Sequence, residues 1–187
     1  MDDGQLLQRC RDGDGEAFAS LLERHQGACF GLALRILGDR EDAMDALQDS
    51  CVKAWRAIGD MHGDAFGSWM SSIVARTCVD RIRARRPSIA LEDDEGRVIP
   101  LPDPQPGPES VALSRDRVRA IELSLSRLTP EHRAIVLMRD LSGLSYEEIA
   151  LALELPIGTV RSRLARARTA LQAELLRQDP GILEAFA

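Results

Sequence analysis

Ser145-Tyr146-Glu147-Glu148-Ile149-Ala150-Leu151-Ala152-Leu153-Glu154-Leu155-Pro156-Ile157-Gly158-Thr159-Val160-Arg161-Ser162-Arg163-Leu164-Ala165-Arg166-Ala167-Arg168 is the stretch that decides the fold. Ser145 and Glu148 stand three apart, the spacing at which a serine hydroxyl caps a backbone N–H while the glutamate reaches back. A short helix over 145–152 is therefore expected. Leu153-Glu154-Leu155 makes a tight connection, and a longer helix runs from Pro156 to about Leu176. Two short-linked helices, the second bearing arginines, match the helix-turn-helix, whose second helix enters the major groove.

The phase of the second helix supports that reading. Val160, Leu164, Ala167 and Leu171 share one face, whereas Thr159, Ser162, Arg166 and Thr169 share the opposite one, with Arg161 and Arg163 at its margins. No acid occurs between Pro156 and Ala173. Hydroxyls and guanidinium groups so placed can meet base edges and phosphates.

Upstream, Thr129-Pro130-Glu131 supplies an N-cap, a proline at the first helical position and an acid in the first turn. The helix it opens holds Ile135 to Met138 and stops near Ser142-Gly143, and Val111 to Leu128 reads as the helix before it. Residues 87–109 hold six prolines and the run Glu92-Asp93-Asp94-Glu95, which predicts a tether between two units.

In the first half, apolar positions from Phe18 to Leu37 recur at helical spacing, which predicts one long helix or two consecutive ones over 15–37. Gly38 ends it and Asp39 can cap the next, whose apolar face holds Ala43, Leu47, Cys51, Ala54, Trp55 and Ile58. Asp45, Gln48 and Asp49 lie mostly off that face. After a break at Gly59–Gly63, a helix from about Asp64 places Phe66, Trp69, Met70, Ile73 and Val74 at core spacing. It runs through Arg81, Arg83 and Arg85 to Pro87. The expected fold is all-α, with two small helical domains, 1–86 and 111–187, joined by a flexible acidic, proline-rich linker over 87–110.

The formal net charge of −6 argues against a protein that coats DNA through bulk charge, yet the basic residues are patched. Four arginines fall within 81–86 and four more within 161–168. The four cysteines, Cys10, Cys29, Cys51 and Cys78, form no C-x-x-C pair, which suits buried thiols in a reducing compartment. No apolar run approaches the ~18 residues of a membrane span, so a cytoplasmic protein without membrane insertion is expected. Asp12, Asp14, Glu16 and Glu23 superficially match a calcium loop, but Ala17 stands where that loop needs glycine and no helix is expected before it. His25, His62 and His132 are isolated, and no phosphate loop or catalytic triad spacing occurs. No metal, cofactor, small-molecule substrate or enzyme activity is expected.

Taken together, Leu128-Thr129-Pro130-Glu131-His132-Arg133, Leu144 to Ala150 and Pro156 to Arg168 closely resemble the promoter-reading C-terminal domain of extracytoplasmic-function (ECF) sigma factors. Gly13-Asp14-Gly15-Glu16-Ala17-Phe18, Asp42 to Ser50 with Ala54-Trp55-Arg56, and Phe66 to Met70 through Asp80-Arg81 resemble the N-terminal domain of the same family. That resemblance implies an initiation subunit of RNA polymerase. It implies that Asp45, Gln48 and Asp49 dock on the clamp helices of the polymerase largest subunit, with a second contact to the flap. Thr159, Arg161, Ser162, Arg163, Arg166 and Thr169 would then read the −35 element, and Arg76, Thr77, Asp80, Arg81, Arg83 and Arg85 the −10 element. Many relatives carry Asn where Thr77 stands, and threonine cannot present an amide pair. An anti-sigma factor is the expected regulatory partner. A free-standing helix-turn-helix regulator, and a sigma-like decoy that binds only another regulator, are the rival readings.

Overall fold

The computed structural model describes residues 1–61, 63–85 and 110–178, the side chains of 110–116 excepted, and the regular structure among them is entirely helical. The expected linker, apart from Ser110, and the end of the chain after Gln178 lie outside the described residues.

Four helices make the first half: α1 (Asp3–Arg11), α2 (Gly15–Leu37), α3 (Arg40–Ala57) and α4 (Phe66–Arg85). Each of the first three starts on an aspartate. Asp2 and Gln5 form a reciprocal capping box, Asp14 accepts from the amides of Glu16 and Ala17, and Asp39 accepts from that of Asp42. Helix α1 corrects the sequence expectation, which opened the first helix at residue 15. It also corrects the statement that no helix precedes the acidic 12–16 segment. That segment has other employment: Asp14 caps α2 and pairs with Arg9 (2.5 Å), and the described residues hold no cluster suited to a metal.

α2 is unbroken and ends on Gly38, whose φ of 76° is a left-handed conformation that glycine adopts without strain. It packs against α1, α3 and α4. Phe66, fully buried, meets Phe18 edge-on at 6.2 Å and Trp69 at 5.9 Å between ring centroids. Gly67 lets the start of α4 approach the His25 ring, where a Cβ would lie 2.9 Å from Nδ1.

The second half holds α5 (Ser110–Ser126), α6 (Pro130–Val136), α7 (Tyr146–Leu153) and α8 (Ile157–Gln178). The helix opened by Thr129 does not run straight to Ser142. Residues Leu137–Leu141 widen into a π turn after α6, a deviation that recurs at functional sites. The Ser145–Glu148 capping box forms as the sequence predicts, and Glu154 closes α7 in a left-handed conformation (φ 54°). Ile135, Met138, Leu144, Ile149, Val160 and Leu164 are buried between these helices.

The halves touch. α2 packs on α5 and α6, and α4 packs on α6 and α7, so that a single apolar cluster runs through both. Arg133 sits at the junction with 5% of its surface exposed. Its Nε donates to Leu125 O (2.8 Å), its Nη2 to Ser126 O (2.7 Å) and Leu128 O (3.1 Å), and its Nη1 to Arg35 O (3.4 Å) and Ile36 O (3.3 Å). One guanidinium thus caps the carbonyl ends of α5 and α2, where the helix dipoles concentrate negative charge. Desolvation lowers its pKa.

Candidate nucleic-acid and partner interfaces

The recognition helix α8 begins after Pro156 and presents its polar face outward. Arg161, Ser162, Arg166 and Thr169 are exposed, and Thr159 and Arg163 half-buried, while Val160, Leu164 and Ala167 are buried against the other helices. The Ser162 hydroxyl donates to Thr159 O (3.1 Å) and that of Thr169 to Ala165 O (3.1 Å). Both hydroxyl oxygens keep lone pairs for an incoming donor. Arg163 and Arg166 border His132, whose pKa is lowered by burial first and then by these two cations. Arg168 is different: its Nε donates to Asp140 at 3.2 Å, so its charge is partly spent inside the domain.

In the first half, the basic residues of α4 do not stand free. Arg81 pairs with Asp49 (2.6 Å) and Asp45 (3.6 Å), Arg85 with Asp42, and Arg83 with Asp80 (3.9 Å). Arg76 pairs with Asp80 (3.9 Å) and with Glu154 of the other half. Thr77 is buried, and its hydroxyl accepts from Lys53 Nζ at 3.0 Å. It therefore faces the α3–α4 packing, away from solvent.

Asp45, Gln48 and Asp49 lie exposed along α3. Beside them the structure exposes an apolar strip that sequence reasoning missed: Met44 (40%), Val52 (52%) and Trp55 (38%). Trp55 was expected on the core face. It straddles the boundary, its ring 5.1 Å from that of Phe18. The positions 44, 52 and 55 were the available signal, since a second apolar stripe on a helix already carrying a core stripe marks a further contact.

Arg11, on the unforeseen α1, donates to Met61 O and Gly63 O, both at 3.2 Å, and so ties down the segment entering α4. All four cysteines are free thiols. Burial pushes Cys29 up to about 11 and Cys78 up to about 12, which leaves both protonated and unreactive at neutral pH. No helix among the described residues is long and apolar enough to cross a membrane.

These features define a helix-turn-helix protein of two packed helical halves, with an exposed arginine face on one and an exposed acidic and apolar face on the other. Residues 21–87 match the family model for sigma-70 region 2, and residues 119–171 that for sigma-70 region 4. The RNA polymerase sigma-H factor of Pseudomonas aeruginosa is 36% identical over 182 residues, covering 92% of this chain and 93% of that protein. The ECF RNA polymerase sigma-E factor of Haemophilus influenzae is 34% identical over 183 residues, with 94% and 96% covered. Among solved structures, the sigma factor RpoE of Bartonella quintana, in complex with the anti-sigma factor NepR, superposes with a TM-score of 0.60 at 25% identity, covering 87% of this chain and 98% of that one. CnrH in complex with the cytosolic domain of CnrY gives 0.58 at 28% identity over 95% and 98%. The chain belongs to the ECF sigma factors of the sigma-70 family.

Proposed function

We propose that this protein is an alternative sigma factor that binds core RNA polymerase, directs it to a set of promoters, and is held in check by an anti-sigma factor. The observation that carries the reading is the presence, on one chain, of two exposed faces of opposite character on opposite halves. α3 offers carboxylates around an apolar strip, and α8 offers guanidinium and hydroxyl groups. A hydrophobic centre with a charged rim is the anatomy of a protein-docking surface, the rim setting orientation and encounter rate. A basic helix face with short polar side chains is that of a major-groove reader.

In this scheme Asp45, Gln48 and Asp49, together with Met44, Val52 and Trp55, meet the clamp helices of the polymerase largest subunit, and the second half meets the flap. Thr159, Arg161, Ser162, Arg163, Arg166 and Thr169 read the −35 element. Arg76, Arg81, Arg83 and Arg85 hold the −10 strand through its phosphates. Thr77 serves that surface from beneath, through Lys53, and Asp80 orients Arg76 and Arg83. The units are 1–86 and 111–187, and the acidic, proline-rich 87–110 segment is a tether that lets them separate. The protein catalyses nothing itself; the chemistry belongs to the polymerase, and the site of action is the cytoplasm. The solved relative bound to an anti-sigma factor supports a partner of that kind here.

A net-acidic monomer with one helix-turn-helix binds DNA weakly, on the order of 10⁻⁴–10⁻⁶ M without specific contacts. Polymerase supplies the rest by presenting both units to one promoter. The test is transcription in vitro from a genomic fragment library with core polymerase, the protein added or withheld. New starts at a fixed distance from a shared pair of sequence elements are expected. Tight DNA binding by the protein alone, with no new starts, would instead establish a free-standing regulator.

A further inference from the structure

We infer that Tyr146 is a positioning residue for promoter recognition: its ring, braced by Arg139 of the π turn, pre-orients Arg161 on the recognition helix. The inference rests on the reading of α8 as the −35 reader and adds to it a residue that lies off that helix.

Tyr146 is the first residue of α7, immediately after the Ser145 cap, and its side chain is half-buried. The Arg139 guanidinium lies over its ring, 5.0 Å from the centroid, and that of Arg161 lies over it at 5.7 Å. Arg139 is itself fixed, because its Nη1 donates to Leu144 O at 2.8 Å. The π turn is what brings this about. Its widened backbone sets Arg139 against Tyr146, whose ring in turn meets Arg161, and the neighbouring Asp140 against Arg168 at the other end of the arginine run of α8.

The two contacts have different chemical consequences. A carboxylate on Arg168 neutralises it for any incoming phosphate. An aromatic face on Arg161 attracts the cation through the ring quadrupole but leaves its N–H donors available at the guanidinium edge. Arg161 is therefore held without being used up. A free arginine side chain loses rotamer entropy on binding, and restraint before binding removes part of that cost from the complex.

An exposed cation–π contact contributes ~0.5–1 kcal/mol, equivalent to roughly 2–5-fold in affinity. Tyr146→Leu in the full-length protein, assembled with core polymerase, should weaken binding to a promoter duplex by about that factor. Tyr146→Phe, which keeps the ring, should restore it. Core-polymerase affinity and thermal unfolding report whether the domain remains folded. The deciding readout is a double-mutant cycle: Tyr146→Leu should cost little in an Arg161→Ala background, because the residue it positions is gone. Full additivity of the two losses, or a Tyr146→Phe protein as weak as Tyr146→Leu, overturns the inference. An Arg161→Ala protein with undiminished promoter binding would overturn it as well, and by a separate route, since the assignment of Arg161 as a DNA contact would then fail.

Discussion

Arg81 Nη2 lies 2.6 Å from Asp49 Oδ2, so a cation of α4 rests on a carboxylate of α3. Both groups are partly exposed, 25% and 54% for the side chains. Pairs of this kind contribute only ~0–1 kcal/mol. An incoming partner with cations of its own can therefore take Asp49 over at small cost, and the arginine it displaces becomes available to a phosphate. If α3 docks on polymerase and α4 holds the promoter strand, as proposed, the two roles are linked through exchangeable pairs, Asp45 and Asp49 both lying against Arg81.

That linkage makes the charge of α3 testable. Reversing Asp45 and Asp49 to Lys replaces attraction at the docking rim with repulsion, and should lower the association rate with core polymerase by on the order of 10-fold or more at low salt. The loss should shrink as ionic strength rises, because the rim is exposed. Stopped-flow or surface-binding kinetics against core enzyme measure it, and an unchanged rate at low salt sinks the docking assignment.

Recognition should separate from docking. Arg163→Ala or Arg166→Ala removes a donor from the exposed face of α8 and should cost about 1–3 kcal/mol at a base contact, or flatten the salt dependence of binding at a phosphate contact. Polymerase affinity should persist in both. Equal loss of polymerase and promoter binding would show that the two surfaces are not independent.

The helix-turn-helix was legible residue by residue, since the Ser145–Glu148 box, the Pro156 start and the Thr129 cap are local chemistry, and all three form. Helix α1 was equally local, its Asp2–Gln5 box being written in the first five residues, but a nine-residue helix gives too few turns for periodicity to register. What sequence could not show was pairing across the chain. Arg81 and Arg85 read as free cations because the carboxylates they hydrogen-bond are 32 and 43 residues away, and Arg76 because its partner Glu154 is 78 residues away, beyond the local Asp80. Thr77 read as accessible because only about half a turn of phase separates a buried threonine from an exposed one. The π turn had no sequence mark at all.

Arg133 is expected to be costly to remove. Arg133→Met fills similar space but strips donors from Leu125 O, Ser126 O and Leu128 O, which are then buried with fewer partners. Losing such buried, charge-assisted hydrogen bonds costs about 1–3 kcal/mol. Chemical denaturation monitored by helical circular dichroism should show a lowered midpoint; a change under 1 kcal/mol, roughly the level of a surface site, would mean that Arg133 is not the junction of the two halves.

Contact between the halves makes its own prediction. A compact chain of this length has a radius of gyration of about 16 Å, whereas two separated units on a tether exceed roughly 20 Å. Small-angle scattering of the free protein should give the lower value. Glu122 pairs with Arg35 at 3.0 Å, and Glu154 with Arg76. Glu122→Lys with Glu154→Lys should therefore expand the particle, and adding Arg35→Glu with Arg76→Glu should compact it again. An expanded native particle would place the closed arrangement outside the solution ensemble.

Protonation of His132 should be resisted by the fold and welcomed by DNA. Its pKa lies below the ordinary 6.5, held down by burial and then by Arg166 and Arg163. The unfolded chain therefore binds this proton more readily than the folded one. That contribution to stability is intact above about 6.5 and is lost as pH falls through the folded value. If Arg163 and Arg166 meet promoter phosphates, as proposed, those phosphates reverse the local field and raise the pKa, so that promoter binding takes up a proton. Between pH 7.5 and 6, at fixed salt, affinity of the polymerase-bound protein for its promoter should rise while the stability of the free protein falls. His132→Gln should flatten both trends. If the affinity of His132→Gln varies with pH as the native protein's does, the proton belongs to another group and His132 lies outside the DNA interface.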